Sequence, residues 1–248
     1  MNNTRNSTSE TGHAKNIANF QDLISFCKGY GTNYNPVKEE LKIPNLEALY
    51  QNALLSLEDT YSKKISFNSA TNQRAEAFKN LNPLATKIIN ALAVSETNPI
   101  MLNNAKSFNK KLQGTQKTKP QTTIAEEETE QVTKSISTSQ QSYNSKINNF
   151  SNLIQVLMQS EAYNPNEEDL KVSSLQNKLL NIKDKNTALI IAYTEYSNAR
   201  ILRDQVLYHT TTGLFQTAKE IKQYVKSVFG ATSPQYRQIS GIQFVKGK

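Results

Sequence analysis

One pattern occurs twice in this chain, and that constrains its fold more than any single motif does. Asn19-Phe20, Leu23-Ile24, Tyr34-Asn35-Pro36, Glu39-Glu40-Leu41-Lys42 and Leu46 recur as Asn149-Phe150, Leu153-Ile154, Tyr163-Asn164-Pro165, Glu167-Glu168-Asp169-Leu170-Lys171 and Leu175. The offset is 130 residues at the phenylalanine and 129 from the tyrosine onward, so the copies differ by one deletion. Carried further, it sets Ala70 against Ala199 and Arg74 against Arg203. Similarity at a long, steady offset predicts a duplicated supersecondary unit rather than a single irregular domain.

The two units are expected to be helical. From Ile17, the residues Ile17, Phe20, Ile24 and Cys27 recur at three and four, which places them on one helical face. Longer series follow in each copy: Leu46, Tyr50, Ala53, Leu57, Tyr61 in the first and Leu175, Leu179, Ile182, Asn186, Leu189, Tyr193, Tyr196, Arg200 in the second. Third segments carry the spacing on as Ala77, Leu81, Leu84, Ile88, Ala91, matched to Leu207, Thr211, Leu214, Ala218, Ile221 and continuing to Val225 and Val228. With only 8 Gly and 7 Pro in 248 residues, few tight turns are available. The expectation is an all-α, elongated helical bundle made of two homologous antiparallel helical units with a short extended C-terminal tail. In residue numbers this is a disordered leader at 1–14, unit 1 at 15–113, a Gly/Pro/Thr/Lys linker at 114–123, unit 2 at 124–230 and the tail at 231–248.

Local chemistry refines these boundaries. In the repeated Tyr-Asn-Pro element, Asn35 and Asn164 read as N-caps, Pro36 and Pro165 as first helical residues, and the following acids as complements to the helix dipole. Glu167 and the pair Ser173 with Gln176 read as capping boxes. Capping also accounts better than acid/base chemistry for the adjacent carboxylates, which no histidine accompanies. Asn82-Pro83 and Thr210-Thr211-Thr212-Gly213 predict a helix break in each copy. Gly230 should end the last long helix, after which Ser233-Pro234 bars its continuation. Ile239, Ile242 and Phe244 then form a candidate docking tail, which either covers core on its own bundle or engages a partner.

Charge, cysteine and histidine bound the function. The net charge of +8 comes from five lysines within residues 106–119 and six basic residues within 215–248, not from one concentrated face. This favours solvated surface over specific nucleic-acid recognition. A single cysteine, Cys27, on an apolar stripe predicts a buried, inert thiol. Two histidines, His13 in the leader and His209, leave no His/Cys metal cluster, and no phosphate loop or catalytic signature occurs, so no cofactor and no enzymatic activity are expected. Neither a run of 18 apolar residues nor a secretory signal is visible, which makes the cytoplasm the expected compartment. The polar residues Arg74, Asn186, Arg200 and Arg203 stand at apolar places of the helical series. They are candidate register or interaction residues; the competing reading has the arginines at the flank of the seam with their heads in water.

Five stretches carry a resemblance: Arg74 to Phe78, Lys110-Lys111-Leu112-Gln113-Gly114, Tyr163-Asn164-Pro165-Asn166-Glu167, Ser197-Asn198-Ala199-Arg200, and above all Tyr224 to Tyr236. Over about residues 15 to 245 the chain resembles an uncharacterised family of duplicated all-helical proteins from Bacteroidota bacteria. That family has no assigned activity, so the resemblance implies an origin and not a reaction. The function expected from the residues is a structural or protein-interaction module with an unidentified protein partner, homo-oligomerisation being open. The alternatives are a membrane-active helical protein resembling a pore-forming-toxin component, and nonspecific nucleic-acid binding.

Overall fold

The computed structural model describes residues 9–114 and 141–246; most of the expected linker and the start of the second expected unit lie outside them. Among the described residues the chain is all-helical and no strand occurs. The helices are α1 (Ser9–Gly29), α2 (Ile43–Phe78), α3 (Leu81–Val94), α4 (Pro99–Gln113), α5 (Tyr143–Met158), α6 (Val172–Tyr208), α7 (Leu214–Phe229) and α8 (Pro234–Ser240). Because α1 begins at Ser9, residues 9–14 of the expected leader are helical, and His13 is buried.

Two compact units divide the chain, and they cut across the expected sequential division. One takes the residues up to Asn68 and those from Ala192 onward; the other takes Ser69–Ile191. The long helices α2 and α6 each contribute one end to each unit.

In the first unit, Ile17, Phe20, Leu23, Ile24 and Cys27 of α1 pack with Leu46, Ala53 and Leu57 of α2 and with Leu214, Ala218, Ile221 and Val225 of α7. Contacts Thr60 to Ala199, Lys63 to Glu195 and Phe67 to Tyr193 run α2 antiparallel to α6 within this unit. The expected extended tail contains a helix. Ser233 does more than bar α7, since its hydroxyl accepts from the Tyr236 N–H at 3.1 Å and Pro234 fills the first position of α8.

The second unit is closed by Phe78 of α2, Leu81, Ala85, Ile88 and Leu92 of α3, Ala105 and Leu112 of α4, Phe150, Leu153, Ile154 and Leu157 of α5, and Leu175 and Ile182 of α6. Asn98 caps α4 by accepting from the Ile100 N–H at 2.9 Å, and Ser142 caps α5 by accepting from the Ser145 N–H at 3.1 Å. Each fully buried phenylalanine or leucine here contributes about 1.5–3 kcal/mol.

The helix breaks fall next to the weak elements. α2 stops at Phe78 and α6 at Tyr208. Pro83 is accommodated in the first turn of α3, where its missing N–H costs little. The link between α6 and α7 spans 209–213 whereas that between α2 and α3 spans only 79–80. Aligned by their first residues, α3 and α7 set Leu81 against Leu214, three residues from the register that apolar spacing suggests. Both open right after an N-cap, and their buried series coincide as Leu81, Ala85, Ile88, Leu92 and Leu214, Ala218, Ile221, Val225.

Candidate interaction sites

The four polar residues that stand at apolar places of the helical series do not form one cluster. Arg74 and Asn186 come together in the second unit. The Arg74 guanidinium lies 3.8 Å from the centre of the Tyr143 ring, a cation–π distance, and Nη1 reaches Asn186 Oδ1 at 3.5 Å. Asn186 in turn donates to Asn144 Oδ1 at 2.9 Å, while Tyr143 meets Phe78 edge to face. Arg203 belongs to the first unit and is 3% exposed, with Nε and Nη2 donating to Asp204 Oδ1 at 2.9 and 2.8 Å. Its head is inside the protein, so the flank reading does not describe it. Arg200 is exposed, 5.7 Å from the Tyr196 ring.

The candidate docking tail is held by its own unit. Ile239 is fully buried, and Ile242 and Phe244 pack on the same core. Asn16, itself buried, clasps the chain end: its Nδ2 donates to the Val245 carbonyl at 2.7 Å and its Oδ1 accepts from the Val245 N–H at 2.9 Å. The apolar series, which starts at Ile17, does not include Asn16 or His13, whose Nδ1 lies 2.6 Å from the Tyr208 hydroxyl. The signal available was that His13 and Asn16 continue the α1 face, one turn before Ile17 and Phe20 respectively.

The Tyr-Asn-Pro segments adopt one local structure in both places, but not the expected one. Asn35, Pro36, Asn164 and Pro165 lie in loops ahead of any helix. The Tyr34 hydroxyl donates to the Leu41 carbonyl at 2.8 Å and the Tyr163 hydroxyl to the Leu170 carbonyl at 2.9 Å, so each tyrosine bridges the loop it begins. A 3-10 turn follows at Glu39–Leu41 and at Glu168–Leu170. The helix starts only at Lys42 and Lys171, whose carbonyls accept from the Leu46 and Leu175 N–H groups at 3.1 and 3.0 Å. Glu167 makes no capping bond, and Gln176 sits against the Met158 sulfur instead of closing a box with Ser173. Glu39 and Glu168 each pair with the lysine three residues on. Desolvation raises both tyrosines, Tyr163 to about 12. Burial likewise pushes the Cys27 thiol up to about 12, which keeps it protonated and unreactive.

What surrounds these two loops differs. In the first unit Tyr224 of α7 meets the Tyr34 ring edge to face, centroids 5.3 Å apart, and its hydroxyl accepts from the Asn35 N–H at 3.1 Å. One turn earlier on α7, Glu220 binds Lys38 at 2.6 Å, and this contact holds the Glu220 carboxyl below its usual range. In the second unit the loop borders an open cleft of about 690 Å³ lined by Lys87, Ala91, Ser95, Tyr163, Asn164 and Glu167, among others. On its rim Lys87 of α3 faces Asp169 at 3.5 Å.

Among the described residues no three His, Cys, Asp or Glu side chains converge as metal ligands, and no helix is long and apolar enough to cross a membrane. His209 is exposed just beyond α6, its Nδ1 3.0 Å from the Thr212 hydroxyl. Comparison with protein-family models, with curated proteins and with solved structures found no match.

Proposed function

We propose that the chain is a non-enzymatic protein-interaction module built from two copies of one helical unit and working in the cytoplasm. The shared local structure of the two Tyr-Asn-Pro segments supports the two-copy reading. One observation carries the interaction reading. On α6 the large apolar side chains Ile201 and Leu202 are 55% and 57% exposed, and Ile201 lines a shallow hollow with Asp204, Gln205, Tyr208 and His209. Solvent-facing aliphatic groups, one of them in the wall of a concavity, are what a partner surface covers.

The test is capture of partners from lysate of the source cells by the purified full chain, compared with an Ile201→Glu/Leu202→Glu double variant, alongside dye release from anionic liposomes. A protein retained by the parent chain and lost with the variant is the expected result. Dye release at submicromolar protein with no retained partner would replace the interaction reading by the membrane-active one.

A further inference from the structure

The difference between the two Tyr-Asn-Pro loops identifies what the open one accommodates. In the first unit the space beside the loop is filled from within by a phenol: the Tyr224 ring lies against Tyr34 and its hydroxyl takes the Asn35 N–H. Matching α3 to α7 by their N-caps and buried series places Ala91 where α7 has Tyr224, and Lys87 where it has Glu220. An alanine in place of a tyrosine removes the whole ring and hydroxyl while leaving the helix and its buried face unchanged. The cleft of about 690 Å³ lies at that place, with Ala91 and Tyr163 in its wall. Pro36 is buried in the filled site, whereas Pro165 is only partly covered in the open one. Among the described residues no protein acceptor meets the Asn164 N–H, the counterpart of the amide that Tyr224 satisfies.

We infer that this cleft is a binding site for a tyrosine side chain of a protein partner, seated edge-on against Tyr163 with its hydroxyl accepting from the Asn164 N–H. Charge narrows the partner further. The filled site pairs Lys38 with Glu220; in the open site Lys87 is engaged by Asp169, and Glu167, which stands where Lys38 stands, is exposed. A basic residue beside the tyrosine therefore complements the rim. The inference rests on the interaction-module reading but on a different surface from Ile201 and Leu202, so either can fail alone.

The test uses the full chain labelled with ¹⁵N and titrated with acetyl-arginyl-tyrosine amide, acetyl-arginyl-phenylalanine amide and acetyl-glutamyl-tyrosine amide. The expected result is a saturable shift of the Asn164 amide with the arginyl-tyrosine probe. Loss of one hydrogen bond should weaken the phenylalanine probe roughly five-fold, and the glutamyl probe should also bind more weakly. Ala91→Tyr, which refills the cleft from within, should abolish the shift; Ala91→Leu serves the same purpose if that variant does not fold. No saturable shift, equal response to tyrosine and phenylalanine, or binding that survives the filled cleft would overturn the inference. A shift of the Asn164 amide that grows with protein concentration alone would also overturn it, by making a second copy of the chain the occupant.

Discussion

Replacing the bridging tyrosines by phenylalanine tests how each loop is held. Tyr34→Phe and Tyr163→Phe each remove one hydroxyl and leave the ring in place, and both tyrosines are 7% exposed. In the parent chain those hydroxyls satisfy the Leu41 and Leu170 carbonyls at 2.8 and 2.9 Å. A buried carbonyl left without a donor costs about 1–3 kcal/mol. The two sites should fall at different ends of that range. The surroundings of the Tyr34 ring are closed by Tyr224, so the lost contact is not replaced by water. Leu170 lines the open cleft, where water can reach its carbonyl in place of the missing hydroxyl. The expected losses are about 2–3 kcal/mol for Tyr34→Phe and about 1 kcal/mol for Tyr163→Phe. Because two compact units need not unfold together, the suitable assay is native-state amide exchange, read in α1 and α7 for the first variant and in α3 and α5 for the second. Equal losses, or a larger loss for Tyr163→Phe, would refute the reasoning that the cleft admits water to Leu170.

The Cys27 thiol, raised from 9.0 to about 12, should resist an aromatic disulfide reagent at pH 8 in the native protein and react fully in denaturant; rapid native reaction would contradict its burial. Since Cys27, Tyr34 and Tyr163 all titrate higher folded than unfolded, their contribution to stability is complete below about pH 8.5 and is lost as pH rises toward 12. A urea midpoint that rises over that window would have the wrong sign. Gly213→Ala should destabilise by about 1–3 kcal/mol, because a Cβ there would meet the His209 backbone nitrogen at 2.5 Å. Gly29→Ala, with open space around it at the end of α1, should be neutral or gain about 0.5–1 kcal/mol, so thermal melts of the two variants should move apart. Residues 1–113 and 124–248 prepared as separate fragments should each show little helix by circular dichroism and recover it on mixing, since each compact unit draws on both; two independently helical fragments would refute this.

Helical class was legible because the stripes are long and regular. Phe20, Ile24, Leu46, Ile182 and Val225 stand where period 3.6 requires apolar residues, and all are buried. The start of each long helix was misread for a physical reason. Asn-Pro followed by acids is a capping pattern, but a buried tyrosine hydroxyl reaching a carbonyl seven residues on outweighs it, and such a bond has no signature in local spacing. His13 was placed in a leader because Ser/Thr/Asn-rich composition masks a helix that packs through only a few residues per turn. The register of α3 against α7 was shifted by three because the extra residues at 209–213 are visible only once the helix ends are known. The cleft escaped entirely: an alanine on the exposed edge of an apolar stripe reads as ordinary helix, and its meaning lies in comparison with Tyr224.

The composition of the compact units gives that comparison its functional weight. Tyr34 lies in the N-terminal half of the chain, but the helix that fills its site is α7 from the C-terminal half; Tyr163 lies in the C-terminal half, but the helix beside its open cleft is α3 from the N-terminal half. Each loop is thus bordered by a residue more than 70 positions away in the chain rather than by a neighbour in sequence. Under the two-copy reading proposed above, such an arrangement keeps both loops, their bridging tyrosines and the lysines that precede α2 and α6, while one substitution on the opposing helix decides whether a site is filled from within or, as inferred above, left for a partner. Tyr224 stabilises the first unit by burying a ring and satisfying an amide, whereas Ala91 forgoes that stabilisation in the second. Water in the open cleft offsets part of that loss, and on the inference drawn above a partner's phenol offsets the rest, so the two nearly identical loops are expected to differ in function rather than to act as a symmetric pair.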